Sequence, residues 1–204
     1  MSSAVRRGHP LLRPTLHAAT GFCALALGVL PREGAILCAL GGVAAGWIAI
    51  PLFLEDVLRR PGEAWLNGLR TYPIAVLGLV LFLPPAEAAA AWAILAFGDA
   101  AATVVGTRVK APSIFGHPKA TVSGSLAYLL VGGLAAWGMS SAVYALGSSF
   151  TWVDPGGCPG AARCMLAALG STLMDLVRIP PDDNLPAAGT AAALLAWTRG
   201  LGGG

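Results

Sequence analysis

The chain has 204 residues, of which 56% are hydrophobic and only 11% are charged, with a net charge of +3. Soluble domains carry about 25% charged residues, so these few charges do not suffice to cover a water-exposed surface of this size. The positive charge is spread over several short segments, which excludes the dense basic patch of a nucleic-acid-binding protein. The composition therefore predicts a polytopic integral membrane protein of the all-α class.

Seven apolar stretches predict about seven transmembrane helices in a single transmembrane domain, residues 1–204. A helix that crosses a bilayer needs about 20 apolar residues. The 27 glycines are typical of membrane helices that pack closely against one another. The predicted helices are 12–30, 34–54, 66–83, 86–107, 121–147, 161–178 and 186–200.

Positive charge alternates along the chain and predicts which loops are cytoplasmic. Ten of the 13 Lys and Arg residues lie near the N-terminus or near the loops that follow the second, fourth and sixth predicted helices. The remaining three are Arg32, Arg163 and Arg199. Because Lys and Arg accumulate in cytoplasmic loops, we expect a cytoplasmic N-terminus and an inner (cell) membrane location in a bacterium.

The four cysteines fall into two groups. Cys23 and Cys38 lie within apolar predicted helices, where we expect them to act as packing residues. Cys158 and Cys164 flank a Pro-Gly-Ala-Ala-Arg segment near the predicted outer surface. Their spacing leaves open both a disulfide in an oxidising compartment and two free thiols.

Asp99 is the one charged residue in the run of apolar and small residues from Ala88 to Gly106. A carboxylate inside a bilayer costs roughly 2.5–3.5 kcal/mol on insertion scales, so such residues usually face a polar cavity. Ala102 and Gly106 lie on the same helical face as Asp99 and leave room for a ligand or another helix. The alternative is a salt bridge between Asp99 and a basic residue of a neighbouring helix.

The segment after this helix combines cations with a helix start rich in hydroxyl groups. The cations are Arg108, Lys110, His117 and Lys119, and the next helix begins with Thr121, Ser123, Gly124 and Ser125. Ser and Thr are ordinary N-caps, but a helix N-terminus close to cations also suits phosphate binding. Since Asp99 is expected on the same membrane face, we favour the phosphate interpretation.

Asp182, Asp183 and Asn184 directly precede the last predicted helix. Adjacent acids in a short loop are often solvated turn residues or caps. Here they are oxygen donors on the same predicted membrane side as Asp99, and Mg²⁺ is commonly held by carboxylates together with substrate phosphates. The pattern therefore predicts a Mg²⁺ site with Asp99, Asp182 and Asp183 as ligands.

The run FGDAAATVVG…PKATVSGSLAYLL, followed by DDNLPAAG, resembles the membrane-bound polyprenol kinase family. That family includes dolichol kinase, phytol kinase and a CTP-dependent diacylglycerol kinase, and the CDP-diacylglycerol synthases are its neighbours. RPTLH, which ends at His17, is similar to an early basic-x-x-x-His pattern of the family, and GLRTYPIAVL resembles its Tyr-Pro segment. The matching positions are Asp99, Ala102, Gly106, Thr121, Gly124, Ser125, Asp182, Asp183, Asn184, Leu185 and Pro186.

Three positions depart from the family pattern, one of which is Asp175, where the family tends to have a Glu. Ser123 stands where the family has a Glu, and Ala120 stands where it has a Lys, with Lys119 one residue earlier. A shifted Lys119 still reaches a phosphate in this interpretation. The missing Glu favours altered metal binding, an altered phosphate donor or a loss of activity.

The resemblance implies a CTP-dependent kinase that phosphorylates a lipid alcohol (a polyprenol, a phytol-like alcohol or diacylglycerol) at the cytoplasmic membrane face with Mg²⁺ as cofactor. The implied catalytic residues are Asp99, Lys119, Asp183 and His17. The implied nucleotide-binding residues are Arg108, Lys110, Lys119, Thr121, Ser123, Gly124, Ser125 and Asn184. The expected partners are a nucleoside triphosphate, the lipid alcohol and the bilayer, with no nucleic acid, and a homodimer is left open.

Three alternatives accompany this expectation. A phosphatidate cytidylyltransferase-like enzyme would use the same nucleotide and metal but make a CDP-lipid. A catalytically degenerate relative or a small transporter is favoured by Ser123 in place of Glu. His17 is expected to act as a base or a phosphate donor, or else to be a buried, hydrogen-bonded histidine of the first helix.

Overall fold

A helix lies at each of the seven predicted spans in the structure, a computed structural model. The structure describes residues 12–54, 58, 68–114, 120–147, 157–177, 179 and 182–200, and all its regular elements in these residues are helices. They are α1 (Leu12–Gly21, continued by a 3₁₀ turn, Phe22–Gly28), α2 (Arg32–Phe53), α3 (Gly68–Phe82), α4 (Pro85–Arg108), α5 (Val122–Gly147), α6 (Ala161–Asp175) and α7 (Asn184–Arg199).

Three helices of the described residues are long and apolar enough to cross a membrane. They are α2, α4 and α5, with 22, 24 and 26 residues. Helix α3 is also apolar but has only 15 residues. The all-helical class is thus confirmed and the helices are compatible with a membrane protein, whereas seven membrane crossings stay a prediction.

The outer face of α2 carries large apolar side chains. Leu37, Ile48, Leu52 and Phe53 are each between 60 and 78% exposed. A contiguous apolar surface of this kind is unusual on a soluble monomer, but it is the surface that acyl chains cover in a bilayer. This face of α2 is therefore suited to contact lipid.

Helix α4 is the central helix, packed by α1 and the 3₁₀ turn after it and by α3, α5, α6 and α7. Its first half is rich in alanine, with seven alanines among residues 85–96, and Ala88–Ala91 is completely buried. Small side chains let neighbouring backbones approach, which provides the packing contacts that hold membrane helices together. The long alanine run is therefore explained by helix packing.

Glycines bring α4 and α5 into close contact. A Cβ atom added to Gly132 would lie 3.4 Å from Cα of Gly98, and one added to Gly124 would lie 3.4 Å from Cα of Gly106. The Ala102 carbonyl oxygen would be 3.1 Å from that second Cβ. The room that Ala102 and Gly106 leave beside Asp99 is thus taken by another helix, α5.

A buried ionic cluster joins α4, α6 and α7 at the end of the bundle remote from Asp99. Glu87 is fully buried, and its carboxylate accepts hydrogen bonds from Arg163 Nη2 at 2.8 Å and Arg199 Nε at 3.0 Å. Arg163 also donates to Thr198 Oγ1 and to the Leu195 carbonyl. Two of the three basic residues outside the predicted cytoplasmic set therefore bind one carboxylate.

Cys158 and Cys164 are free thiols near that same end. Cys158 is half-buried, whereas Cys164 is fully buried at the start of α6. Each Sγ atom lies 4.0 Å from the hydroxyl oxygen of Ser140. Of the two thiols, Cys158 is therefore the one that a reagent in water can reach.

Labelling of Cys158 tests the predicted orientation. We expect a membrane-impermeant maleimide to modify Cys158 in intact, reduced cells, because the charge pattern places this end of the bundle outside. The measurement is the mass of the labelled peptide, with Cys158→Ser as the control that abolishes the signal. Labelling only after lysis would contradict the orientation.

Candidate functional site

Asp99 of α4 meets His17 of α1. The His17 Nδ1 atom lies 3.1 Å from Asp99 Oδ2. The His17 side chain is 9% exposed and that of Asp99 is 39% exposed. Because an ionised carboxylate only accepts hydrogen bonds, Nδ1 carries the proton and donates it to Asp99. The structure thus joins two residues that the sequence analysis placed in catalysis separately, and this partner of Asp99 is a histidine rather than Lys or Arg.

A π-helical turn directly precedes Asp99. It spans Ile94–Gly98, and the α-helix resumes at Asp99. Because an α-helix has 3.6 residues per turn, one inserted residue rotates every later side chain by about 100°. Single π turns occur frequently at functional sites. The turn therefore determines which neighbour Asp99 faces. The spacing of apolar residues in the sequence does not predict this turn.

The second part of the site connects the start of α3 with the start of α7. Asn184 is buried, and its Nδ2 atom donates to Thr71 Oγ1 at 3.2 Å, to Asp182 Oδ2 at 3.3 Å and to the Gly68 carbonyl at 3.5 Å. The Thr71 hydroxyl donates to Asp182 Oδ2, and the Asn184 backbone N–H donates to Asp182 Oδ1 at 3.1 Å. Both carboxylate oxygens of Asp182 are therefore engaged within the protein.

The surroundings of Asp182 explain its protonation behaviour and the need for glycine at position 68. Burial of the carboxyl group raises the pKa of Asp182, and the hydrogen bonds from Thr71 and Asn184 oppose this rise. A Cβ atom at Gly68 would lie 2.9 Å from Asn184 Nδ2 and closer still to the Arg13 guanidinium. A larger side chain at position 68 would thus require the ends of the Arg13 and Asn184 side chains to move.

Two interacting carboxylates, Asp175 and Asp183, lie near the site. Asp175, the last residue of α6, interacts directly with Asp183 and lies within electrostatic range of Asp99. Oxygen donors of this kind suit Mg²⁺, which is usually held by one or two carboxylates and completed by phosphates and water. Among the described residues no three His, Cys, Asp or Glu side chains are gathered as ligands of one ion. Asp175 and Asp183 thus supply carboxylate oxygens of the type that binds Mg²⁺, while a Mg²⁺ site here stays a prediction.

Thr121 is the N-cap of α5. Its Oγ1 atom accepts a hydrogen bond from the Gly124 backbone N–H at 3.1 Å and lies 3.3 Å from Ser123 Oγ. The Ser123 hydroxyl reaches the Val109 carbonyl at 3.5 Å, which joins the end of α4 to the start of α5. The capping alternative therefore describes Thr121 in the structure, while phosphate binding at this helix start stays a prediction.

The structure describes two of the four predicted phosphate-binding cations. Arg108 and Lys110 are exposed at the end of α4, close in sequence to Val109 and hence to the Thr121–Ser123 pair. Ser125 follows at the start of α5 and is half-buried. His117 and Lys119 lie outside the described residues, so their roles stay predictions.

A long apolar groove of about 620 Å³ runs between α1, α2 and α3. Its volume falls within the range of roughly 300–1,000 Å³ that is common for small-molecule sites. Cys23 and Cys38 line the groove and are exposed, so the prediction that they are packing residues was wrong. Polar groups are confined to a few of its lining residues, namely Arg13, His17, Thr20, Cys23, Cys38, Tyr72 and Trp92.

The polar lining residues are concentrated at the end of the groove near the start of α1, where Arg13 and His17 lie. From His17 to Leu30 the chain advances 13 residues, or about 23 Å at 1.5 Å per α-helical residue and 2.0 Å per 3₁₀ residue. The groove thus offers an apolar channel long enough for a lipid tail, with a histidine at its polar end.

Comparison of the chain with protein-family models, with curated proteins and with solved structures finds no match.

Proposed function

We propose that this protein is an integral membrane kinase that transfers the γ-phosphoryl group of a nucleoside triphosphate to a lipid alcohol. The observation that carries the proposal is that His17 both lines the apolar groove and hydrogen-bonds Asp99. A hydrophobic tail in the groove would bring a terminal hydroxyl to the one histidine that is paired with a carboxylate among the described residues. CTP is the proposed donor because of the family resemblance.

The chemistry follows from the two nitrogens of the His17 ring. Nδ1 donates to Asp99, so in the neutral ring Nε2 is an acceptor. As the lipid oxygen forms its bond to the γ-phosphorus, Nε2 takes the hydroxyl proton, and the bond between the γ-phosphorus and the bridging oxygen breaks to release the diphosphate. Asp99 holds the ring in position and stabilises the imidazolium that forms, as a carboxylate does in other acid–base pairs.

Phosphoryl transfer depends mainly on positioning and on neutralisation of charge. In the proposal, Mg²⁺ would be held by Asp99 and Asp183 and would neutralise charge on the phosphates. Asp182 fixes the loop that carries Asp183, because its own oxygens bind Thr71 and Asn184. Arg108, Lys110 and Lys119 would bind phosphates. At the start of α5 the backbone N–H groups of Gly124 and Ser125 already bind Thr121, so Ser123 would be the residue that offers a backbone N–H to a phosphate.

The proposal includes seven membrane crossings, a cytoplasmic active site and location in a bacterial inner membrane. Its support is the distribution of charge between the two ends of the bundle. Asp99, Asp182 and the start of α5 lie at one end, together with Arg13, Arg70, Arg108 and Lys110, the described members of the predicted cytoplasmic set of basic residues. The Glu87 cluster lies at the other end. The residues of the predicted cytoplasmic set that the structure describes thus lie at one end of the bundle.

Two alternatives differ from the kinase in what they would produce. A cytidylyltransferase would make a CDP-lipid and pyrophosphate from a lipid phosphate. Ser123, which stands where the resembling family has a Glu, favours a degenerate protein or a transporter. Failure of the purified protein to bind any nucleoside triphosphate would support that last alternative.

A pair of neighbouring glycines tests whether the groove binds the lipid. Gly42 lines the groove and Gly41 does not, and a Cβ atom at either position meets no atom within 4 Å. We expect Gly42→Phe to fill the groove and raise the KM for the lipid alcohol at least about tenfold, a loss of about 1.4 kcal/mol. The matched control Gly41→Phe should keep the wild-type KM, and the nucleotide KM should be unchanged in both. Equal lipid KM values in the two variants would show that the lipid binds elsewhere.

A further inference from the structure

A directed chain of hydrogen bonds ends on His17. The indole Nε1–H of Trp92 can only donate, and it donates to the Tyr72 hydroxyl oxygen at 2.8 Å. The Thr20 hydroxyl donates to the His17 backbone carbonyl at 2.8 Å, since a carbonyl can only accept. Thr20 has no second proton, so in the 2.9 Å contact between Tyr72 and Thr20 the donor is Tyr72. Every proton in the chain therefore has one assigned direction, from Trp92 to His17.

Tyr72 also contacts the His17 ring itself. The two rings are stacked with their centroids 4.5 Å apart and their planes inclined by 26°. The ring is thus held on one face by Tyr72, at Nδ1 by Asp99 and through its backbone by Thr20. Its Nε2 atom has no hydrogen-bond partner among the residues that the structure describes.

We propose that Tyr72 is a positioning residue that orients the His17 ring and directs Nε2 toward the end of the groove. The proposal rests on the proposed function for its consequence in catalysis but not for its structural content. Tyr72 comes from α3 and Trp92 from α4, so three helices must be in register before His17 is oriented. Two hydrogen bonds fix the Tyr72 phenol, and its ring is stacked on His17. Tyr72 therefore restricts the rotation that the ring of a histidine on the groove wall would otherwise have.

Two substitutions distinguish a role of Tyr72 in orienting the His17 ring from simple filling of space. Tyr72→Phe keeps the ring, its volume and the stacking contact, and removes only the hydroxyl that receives from Trp92 and donates to Thr20. Trp92→Phe removes the first bond of the chain and leaves Tyr72 in place. Matched controls are Tyr144→Phe and Trp197→Phe, since both of these aromatic side chains are largely exposed.

The test reads His17 directly, in substrate-free protein labelled with ¹⁵N-histidine in lipid nanodiscs. The chain has three histidines, and His17→Ala identifies the His17 signal. We expect wild type and both controls to show one sharp Nδ1–H signal, and Tyr72→Phe and Trp92→Phe to broaden it or lose it to exchange with water. A wild-type His17 spectrum in folded Tyr72→Phe, or in Trp92→Phe if the first variant does not fold, would overturn the proposal.

Turnover then separates this proposal from the proposed function. We expect Tyr72→Phe to lower kcat for the lipid alcohol at least about tenfold, or 1.4 kcal/mol, with the nucleotide KM unchanged. An altered His17 spectrum together with wild-type kcat would overturn the role of the orientation in catalysis. An altered spectrum in a protein whose wild type phosphorylates no lipid alcohol would overturn the proposed function alone.

Discussion

Asp99→Asn is expected to lower turnover by about 10²–10⁴-fold, the range that general acid–base groups contribute, while the protein still folds and inserts. Asparagine keeps the size of Asp99, and its amide oxygen still accepts the hydrogen bond from His17 Nδ1. It lacks the negative charge that stabilises the imidazolium and attracts Mg²⁺. The measurement is the steady-state rate in detergent, beside Glu33→Gln, an exposed acid at the other end of the bundle, which should behave as wild type.

The melting temperature separates the catalytic role of Asp99 from a structural one. A neutral amide costs less in an apolar environment than a carboxylate, so Asp99→Asn should melt at or slightly above the wild-type temperature without nucleotide. If Asp99 were instead half of a structural ion pair, its loss would strand a buried cation and cost a few kcal/mol. A variant that melts well below wild type and keeps its specific activity would contradict the catalytic role.

Glu87→Gln is expected to be the most destabilising of the changes considered, because it leaves two arginines without their common carboxylate. Removing one partner of a buried ion pair typically costs about 3–5 kcal/mol. Glu87 is fully buried and binds Arg163 and Arg199 from two different helices. We therefore expect the free energy of unfolding in mixed detergent and denaturant to fall by at least about 3 kcal/mol, with no effect of Glu33→Gln.

A combined variant shows whether the stranded charge is the cause. Replacing Glu87, Arg163 and Arg199 together by leucine removes all three charges, and replacement of a buried ionic group by apolar residues is often neutral or stabilising. We expect this triple variant to be more stable than Glu87→Gln alone. Wild-type stability in Glu87→Gln would show that the cluster does not hold α4, α6 and α7 together.

The positions of the helices could be predicted because they follow from local composition. Long runs of apolar residues can be recognised in a sequence window of about 20 residues. The gathering of Asp99, Asp183 and the start of α5 at one end also follows from the sequence, since alternating loops put every second helix end on the same side. The alternation between loops rich and poor in Arg and Lys is enough to predict which helix ends share a side, and it requires no knowledge of contacts.

The contacts inside the site could not be predicted in the same way. His17 and Asp99 are 82 residues apart, and which faces of two apolar helices meet depends on packing rather than on periodicity. The π turn before Asp99 changes that face without any distinctive residue. The groove is formed jointly by α1, α2 and α3, so no single segment announces it.

Glu87 was missed for a related reason. It stands two residues after the start of α4, where an acidic side chain usually interacts with the helix dipole in water. Arg163 and Arg199, its partners, lie 76 and 112 residues further along the chain. Trp92 offered a local signal, because a buried indole N–H needs an acceptor, but the sequence does not say that the acceptor is Tyr72.

The central claim is tested most directly by following two labels of CTP through one reaction. Purified protein in nanodiscs would receive Mg²⁺, a panel of lipid alcohols and lipid phosphates, and CTP labelled either at the α- or at the γ-phosphorus. The account predicts that the γ label appears in the lipid fraction with a lipid alcohol and that the α label does not. Transfer of the α label to a lipid phosphate with release of pyrophosphate, or no transfer of either label, would contradict it.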